Sequence, residues 1–266
     1  MTTAPQPNPS AAESTVVPVI FGVALGHFLN DLMQSLIPAA YPLLKDNLAL
    51  TFTQIGLITF VFQGTASILQ PLVGLYTDRR PLPFAMAAGM ASTGAGLVLL
   101  AHAASFAMVL LSVAFIGLGS AIFHPEASRI ARLAAGMRPG FAQSVFQVGG
   151  NAGSALGPLA AAFIVLERGQ VSIEWVAAVA LAGVAGLFAL GRWEHAVGAT
   201  RAAHRKARAA AVAPAPHVVR RGMAILILLM VSKFVYSVSF SSYYTFYLIE
   251  RFSLTKAQAN LCLFIF

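Results

Sequence analysis

Ionisable side chains stand inside three of the long apolar stretches of this chain. They are His27 and Asp31 in the first stretch, His124, Glu126 and Arg129 in the fourth, and Lys233 in the seventh. A charged side chain at the centre of a bilayer costs at least about 2.5–3.5 kcal/mol, so each needs a polar partner or a water-filled cavity. The simplest arrangement is one cavity lined by all three stretches. The chemistry offered there is proton uptake and release by a carboxylate.

Asp31 and Glu126 are the candidate proton carriers, and His27 and His124 are candidate partners. His27 and Asp31 are four residues apart and share a helix face, so His27 would adjust the proton affinity of Asp31. The alternative is a buried pair that only holds helices together. Glu126 and Arg129 are three residues apart and also form a possible pair, although Arg129 could instead anchor the cytoplasmic end of its helix.

Further polar side chains are candidates for binding a substrate. Lys233 lies about eleven residues into its stretch, too deep for its ammonium to reach the membrane surface easily. We expect it to bind an anion or to pair with one of the two acids. The complete set of substrate-binding candidates is Lys233, Arg129, Asn30, Gln34, Gln147, Asn151 and Tyr243.

Glycine and proline predict how the fifth stretch packs. Gly149, Gly153 and Gly157 recur every four residues and predict a smooth face for close helix packing. Pro158 predicts a kink at the end of that helix, and Pro125 predicts one in the fourth helix.

The composition requires a membrane environment. Hydrophobic residues make up 58% and charged residues 10% of the 266 residues, whereas soluble domains carry about 25% charged residues. The apolar stretches are continuous rather than alternating, which predicts helices. Seven are long enough to span a bilayer: 17–44, 54–76, 83–104, 106–130, 141–166, 173–190 and 222–249. An eighth starts near 257 and has about ten residues, too few to span, so we expect the chain to be part of a longer protein.

These stretches predict an all-α integral membrane protein with a six-helix bundle over residues 17–191. We expect a disordered cytoplasmic tail at 1–16, a basic cytoplasmic loop at 192–221, and the start of a second bundle at 222–266. Twelve of the 17 Lys and Arg residues fall on one side of this topology, which places the N-terminus in the cytoplasm. The basic loop is therefore an orientation signal, and no nucleic-acid partner is expected.

The ionisable residues do not form a recognisable catalytic motif. An enzyme would need an activated nucleophile beside a base, or three or four convergent metal ligands. Neither HExxH nor GxSxG occurs in the sequence. We therefore predict no enzymatic activity, no metal and no cofactor.

Two motifs resemble signatures of the major facilitator superfamily of secondary transporters. The segment 74–80 resembles the loop 2–3 signature, and 153–158 resembles the helix 5 signature of the drug:proton antiporters. Their motif residues are Gly74, Asp78 and Arg79 in the first, and Gly153, Gly157 and Pro158 in the second. Val113 stands where the helix 4 signature has an arginine, so that residue's proton-relay role is not carried over. The resemblance implies the superfamily fold, with this chain holding the first bundle, helix 7 and part of helix 8.

Four further stretches, 29–36, 123–129, 146–151 and 241–248, resemble the bacterial exporters that confer fosmidomycin resistance. This resemblance implies a multi-pass protein of the bacterial inner membrane that exports small drugs, including anionic phosphonates, in exchange for protons. We expect a monomer in the lipid bilayer whose partners are protons and a small-molecule substrate. The alternative is proton-coupled uptake or exchange of a small organic anion.

Overall fold

The computed structural model describes residues 14–210 and 216–265, and its regular elements over those residues are all helical. The described helices are α1 Val17–Asn47, α2 Phe52–Arg79, α3 Ala85–Ala101, α4 Phe106–Ala134, α5 Pro139–Ala160, α6 Ile173–Ala210, α7 Pro216–Phe252 and α8 Lys256–Ile265. Six described helical segments are long and apolar enough to cross a membrane, and α3 is a shorter apolar helix of 17 residues. The predicted all-α membrane fold is confirmed.

The segment predicted as a basic loop, 192–221, is helical over most of its described length. Helix α6 continues to Ala210, and α7 begins at Pro216. Alanine is the best helix former and is frequent between 196 and 210, so the α6 helix does not stop where its apolar stretch ends. Proline is well tolerated in a first helical turn, which suits the start of α7.

The predicted tail, 1–16, lies outside the described residues except for its last three. Ser14 accepts hydrogen bonds from Arg201 of α6, and the other two residues contact the end of α4. The Thr15 hydroxyl donates to the carbonyl of Ala135 over 2.9 Å, and the Val16 amide donates to the carbonyl of Ala134 over 2.9 Å. Two carbonyls at the end of α4, where helical partners run out, are thereby satisfied.

Helix α5 changes its winding near its end. A π-helical turn and two short turns follow it, at Ala161–Val165, Leu166–Arg168 and Gln170–Ser172. The amide of Ala161 donates to the carbonyls of both Gly157 and Pro158. Where the sequence predicted a kink at Pro158, the structure has a π-helical turn that starts three residues later. Helix α4 runs without interruption through Pro125.

The core lies around α1, which packs against α4, α5 and α6. Its apolar residues Met33, Leu36 and Ile37 have no exposed surface. The predicted glycine face of α5 packs directly on the α1 backbone: a Cβ atom on Gly157 would lie 2.9 Å from the amide nitrogen of Leu36. Close backbone approach without side chains is how small residues hold membrane helices together.

Substituting Gly153 by alanine is expected to destabilise the protein by about 1–3 kcal/mol, as overpacking does. The new methyl group would lie 2.9 Å from the carbonyl carbon of Phe28 and 3.0 Å from the amide nitrogen of Leu32. Both are backbone atoms, so α1 and α5 would have to move apart. The measurement is thermal unfolding of the purified protein in detergent.

The matched control is Gly140→Ala on the same helix, where a Cβ atom would meet nothing within 4 Å. That variant should unfold at the wild-type temperature or slightly above it, because alanine favours helix. Equal unfolding temperatures for the two variants would contradict the close packing of α5 on α1.

Candidate functional site

The carboxylate of Asp31 lies between two imidazole rings. Its Oδ2 is 3.2 Å from Nε2 of His27, one helical turn earlier on α1, and its Oδ1 is 3.2 Å from Nε2 of His124 on α4. The two rings meet edge to face with their centroids 5.1 Å apart. The structure therefore brings three of the four predicted proton-coupling residues into one cluster, which we call the His–Asp–His cluster (His27, Asp31 and His124).

Backbone carbonyls fix the other nitrogen of each ring. Nδ1 of His27 is 2.8 Å from the carbonyl oxygen of Phe146, and Nδ1 of His124 is 3.0 Å from that of Ser120. A carbonyl oxygen only accepts hydrogen bonds, so each Nδ1 carries a hydrogen and donates it. Consequently both Nε2 atoms, the ones that face Asp31, are the positions where a proton is gained or lost.

The cluster is packed on one side and open on the other. His27 is buried, and its ring stacks on Phe146 with a centroid distance of 4.0 Å. The side chains of Asp31 and His124 keep 18% and 25% of their surface exposed. The carboxylate of Asp31 therefore keeps an accessible edge, while the His27 ring is enclosed.

Two of the predicted substrate-binding residues, Asn30 and Gln34, are linked to the His–Asp–His cluster by hydrogen bonds. The buried Asn30 donates from Nδ2 to Oδ1 of Asp31 over 3.3 Å. Gln34 donates to the backbone carbonyl of Asn30 over 3.4 Å. Asn30 thus orients the carboxylate, and Gln34 lies one turn further along α1.

Glu126 and Arg129 form a second, separate ionic cluster. The Arg129 guanidinium donates to Glu126 over 2.5 and 3.1 Å and to Glu194 of α6 over 2.5 Å. All three side chains are buried. Glu126 is thus engaged with Arg129 and Glu194, whereas Asp31 pairs with histidines. Asp31 and Glu126 therefore belong to two separate clusters, contrary to the expectation that they share one cavity.

Glu194 was missed in the sequence because it was assigned to the loop beyond the sixth span. The available signal was the sequence after it, Ala-rich and without glycine between 199 and 210, which favours a continuing helix. An acid on a continuing helix would have been a candidate partner for Arg129.

Lys233 lies on the exposed surface of α7. Within the described part of the chain it forms no ion pair, so the structure does not bring it to Asp31 or Glu126. The depth of a residue along a helix does not determine which face it occupies, which is why the sequence could not place it.

Tyr243 lines a groove of about 410 Å³ between α2 and α7. Two of its lining residues, Thr59 and Ser242, have their hydroxyl oxygens 3.3 Å apart, and the Thr59 hydroxyl is also 2.8 Å from that of Tyr41 outside the groove. The groove walls are otherwise largely apolar apart from Gln63, Ser67 and Ser239. Its polar groups are neutral donors and acceptors suited to ligand oxygens.

The remaining predicted residues are placed as follows. Gln147 and Asn151 are exposed on α5 and hydrogen-bond to each other over 3.1 Å. Gly74 lies beside Pro125 of α4, and a Cβ atom there would be 3.6 Å from the proline ring. Asp78 and Arg79 are exposed at the end of α2.

Comparison with known proteins shows the family. A sequence profile of the Major Facilitator Superfamily matches residues 23–266. The chain is 47% identical to the fosmidomycin resistance protein of Escherichia coli strain K12, over all of this chain and 66% of that protein. It is 46% identical to YfnC, an uncharacterized MFS-type transporter of Bacillus subtilis strain 168, over 68% of this chain and 44% of that protein. The match thus spans just under two thirds of the length of the first relative and less than half of the second.

The fold has a counterpart among solved structures. The crystal structure of a mutant of the peptide transporter POT superposes with a TM-score of 0.55 at 18% identity, covering 92% of this chain and 49% of that one. At this identity the match concerns the fold alone. With the all-helical fold and the profile match over most of the chain, it follows that this multi-pass membrane protein belongs to the major facilitator superfamily.

Proposed function

We propose that the protein exports small drugs in exchange for protons, and that anionic phosphonates such as fosmidomycin are among its substrates. The observation that carries the proposal is the Asp31 carboxylate, held inside a membrane-spanning helix between two imidazoles and open on one side. Coupled transport needs a group that binds a proton from one side of the membrane and releases it to the other. The name of the E. coli relative supports the choice of drug.

Asp31 is a better coupling site than Glu126. Glu126 is locked by Arg129, whose guanidinium also holds Glu194, and a salt-bridged carboxylate with 1% of its side chain exposed has no direct route for a proton. Asp31 has two titratable neighbours and an exposed edge. We therefore assign proton binding to Asp31 with His27 and His124, and a structural role to Glu126.

The proposed membrane arrangement follows the distribution of basic residues. With the N-terminus in the cytoplasm, most Lys and Arg residues fall on the cytoplasmic side of a bacterial plasma membrane. Residues 17–191 form the first bundle, 192–221 connect it to the second, and 222–266 begin that second bundle. We propose that the transporter works as a monomer.

The test uses inverted membrane vesicles from cells that express the whole reading frame containing this chain. With an acid interior imposed, export by proton exchange predicts accumulation of labelled fosmidomycin inside the vesicles. A protonophore should prevent that accumulation. Proton-coupled uptake, the alternative, predicts accumulation only in right-side-out vesicles in an acidic medium. Transport that ignores the pH gradient in both preparations would refute proton coupling.

Lys233 is the proposed contact for the negative charge of the substrate, because Arg129 is already committed to two carboxylates. In the same vesicles, Lys233→Met should reduce transport of the phosphonate more than transport of a neutral drug. Lys233→Arg should keep part of the activity since the charge remains. Equal losses of transport for the charged and neutral drugs would show that Lys233 does not bind the negative charge of the substrate.

A further inference from the structure

The His–Asp–His cluster has the donor atoms of a transition-metal site. One ligand atom from each side chain, a ring nitrogen of His27, an oxygen of Asp31 and a ring nitrogen of His124, can be chosen so that all lie within 4.8 Å of one another. Imidazole nitrogen with carboxylate oxygen is the donor set that suits zinc and its neighbours among the divalent transition metals. The residues come from two helices, α1 and α4, so a shared ion would join them.

Each imidazole lies at the spacing of neighbouring metal ligands from a different oxygen of Asp31. Metal–ligand bonds of ~2.0–2.1 Å at tetrahedral angles put neighbouring ligand atoms ~3.3 Å apart. Nε2 of His27 is 3.2 Å from Oδ2 of Asp31, and Nε2 of His124 is 3.2 Å from Oδ1, so both separations match this spacing when the carboxylate binds through both oxygens. Of the two rings, His124 is the more exposed and therefore the freer to adjust to a shared ion.

The hydrogen bonds made by the outer nitrogens of the two imidazoles match those found around metal-binding histidines. A ligating imidazole normally donates its other N–H to a carboxylate, a backbone carbonyl or water, which fixes the tautomer and the ring orientation. Both rings satisfy this rule through the carbonyls of Phe146 and Ser120. The Asp31 carboxylate is itself hydrogen-bonded, by Asn30. Each of the three ligands is thus supported by an outer group.

Helix α5 fixes the position of His27. Gly150 faces the imidazole so closely that a Cβ atom there would fall 2.5 Å from Nε2 and 2.8 Å from Nδ1. Phe146, one turn earlier on α5, stacks on the His27 ring and supplies the carbonyl that Nδ1 contacts. The ring that anchors the cluster is therefore held by packing as well as by hydrogen bonding.

We propose that His27, Asp31 and His124 bind one divalent transition-metal ion of the zinc type, with a coordination position left open on the exposed side of Asp31 and His124. Three protein ligands and one open position is the arrangement of zinc sites that accept an exogenous ligand. The binding proposal does not depend on proton coupling or drug export. A cross-link between α1 and α4 is its direct structural consequence.

The test measures Co²⁺ and Zn²⁺ binding to the purified full chain in detergent, prepared without a polyhistidine tag. Co²⁺ reports its coordination through visible d–d absorption, and titration calorimetry gives the stoichiometry. We expect one Co²⁺ per chain in a site of fewer than six ligands, displaced by Zn²⁺. Because metal binding adds a cross-link to the folded state, Zn²⁺ should also raise the unfolding temperature.

His124→Gln is the main variant, since this partly exposed ring can be replaced with the fold retained. Its Co²⁺ affinity should fall by at least the ~10–100-fold that loss of an outer supporting group costs. Gly150→Ala should weaken binding by displacing the His27 ring, whereas Gly140→Ala on the same helix should not. His102→Gln is the histidine control: His102 is exposed and pairs with Glu174 away from the cluster.

Three results would overturn the proposal. The first is a folded wild-type chain, judged by its unfolding temperature, that binds no Co²⁺. The second is Co²⁺ affinity that is unchanged in both His124→Gln and Gly150→Ala. The third is loss of binding in His102→Gln, which would place the ion on the exposed pair. None of these results tests drug transport, so the proposed function is tested independently by the vesicle experiments.

Discussion

Replacing Asp31 by asparagine is expected to abolish drug transport driven by a pH gradient while the protein remains folded. Asparagine has nearly the same shape and its carbonyl oxygen still accepts a hydrogen bond from one imidazole. It cannot bind and release a proton. Transport in inverted vesicles should therefore fall to the level of vesicles without the transporter, because no other described acid lies between the two histidines.

Asp46→Asn is the matched control. Asp46 is on the same helix, but its side chain is 60% exposed and pairs with Lys256 at the helix end. Its substitution should leave gradient-driven transport intact. Exchange of labelled for unlabelled drug, which needs no net proton movement, should persist in Asp31→Asn. Wild-type accumulation in that variant would show that the coupling proton binds elsewhere, with Glu126 the next residue to examine.

The sequence predicted those parts of the cluster that depend on spacing within one helix. His27 and Asp31 share a face because they are four residues apart, and the structure pairs them. The glycines of α5 were predicted to allow close packing, and α1 packs against them. Both predictions follow from helix geometry alone, which is nearly independent of the rest of the fold.

Contacts between helices were predicted less well. His124 and Glu126 are two residues apart on α4 and therefore point to nearly opposite sides of it. Spacing alone does not decide which of them faces α1, and the structure turns His124 to Asp31 and Glu126 to Arg129. Lys233 shows the same limit, since its helix was predicted but the exposed face that it occupies was not.

Replacing Arg129 by methionine is expected to prevent the protein from accumulating in folded form. Arg129 is the shared partner of Glu126 and Glu194, both of which are almost completely buried. Each acid already has one buried oxygen without a hydrogen-bond partner in the described structure. Removing the guanidinium would leave two carboxylates in a low-dielectric environment, and breaking a buried ion pair from one side costs about 3–5 kcal/mol.

The measurement is the yield of monodisperse protein by size-exclusion chromatography, together with the unfolding temperature in detergent. Arg132→Met is the control, because Arg132 lies on the same helix but is exposed and donates to Ser128. It should behave as the wild type. The triple variant Arg129→Met, Glu126→Gln, Glu194→Gln should recover much of the loss, since it removes the unpaired charges along with their partner. Such recovery would show that charge imbalance, rather than lost packing around the arginine stem, destabilises the single variant. A single variant as stable as Arg132→Met would instead mean that the two acids find other partners, and the assignment of Arg129 as the centre of the cluster would be wrong.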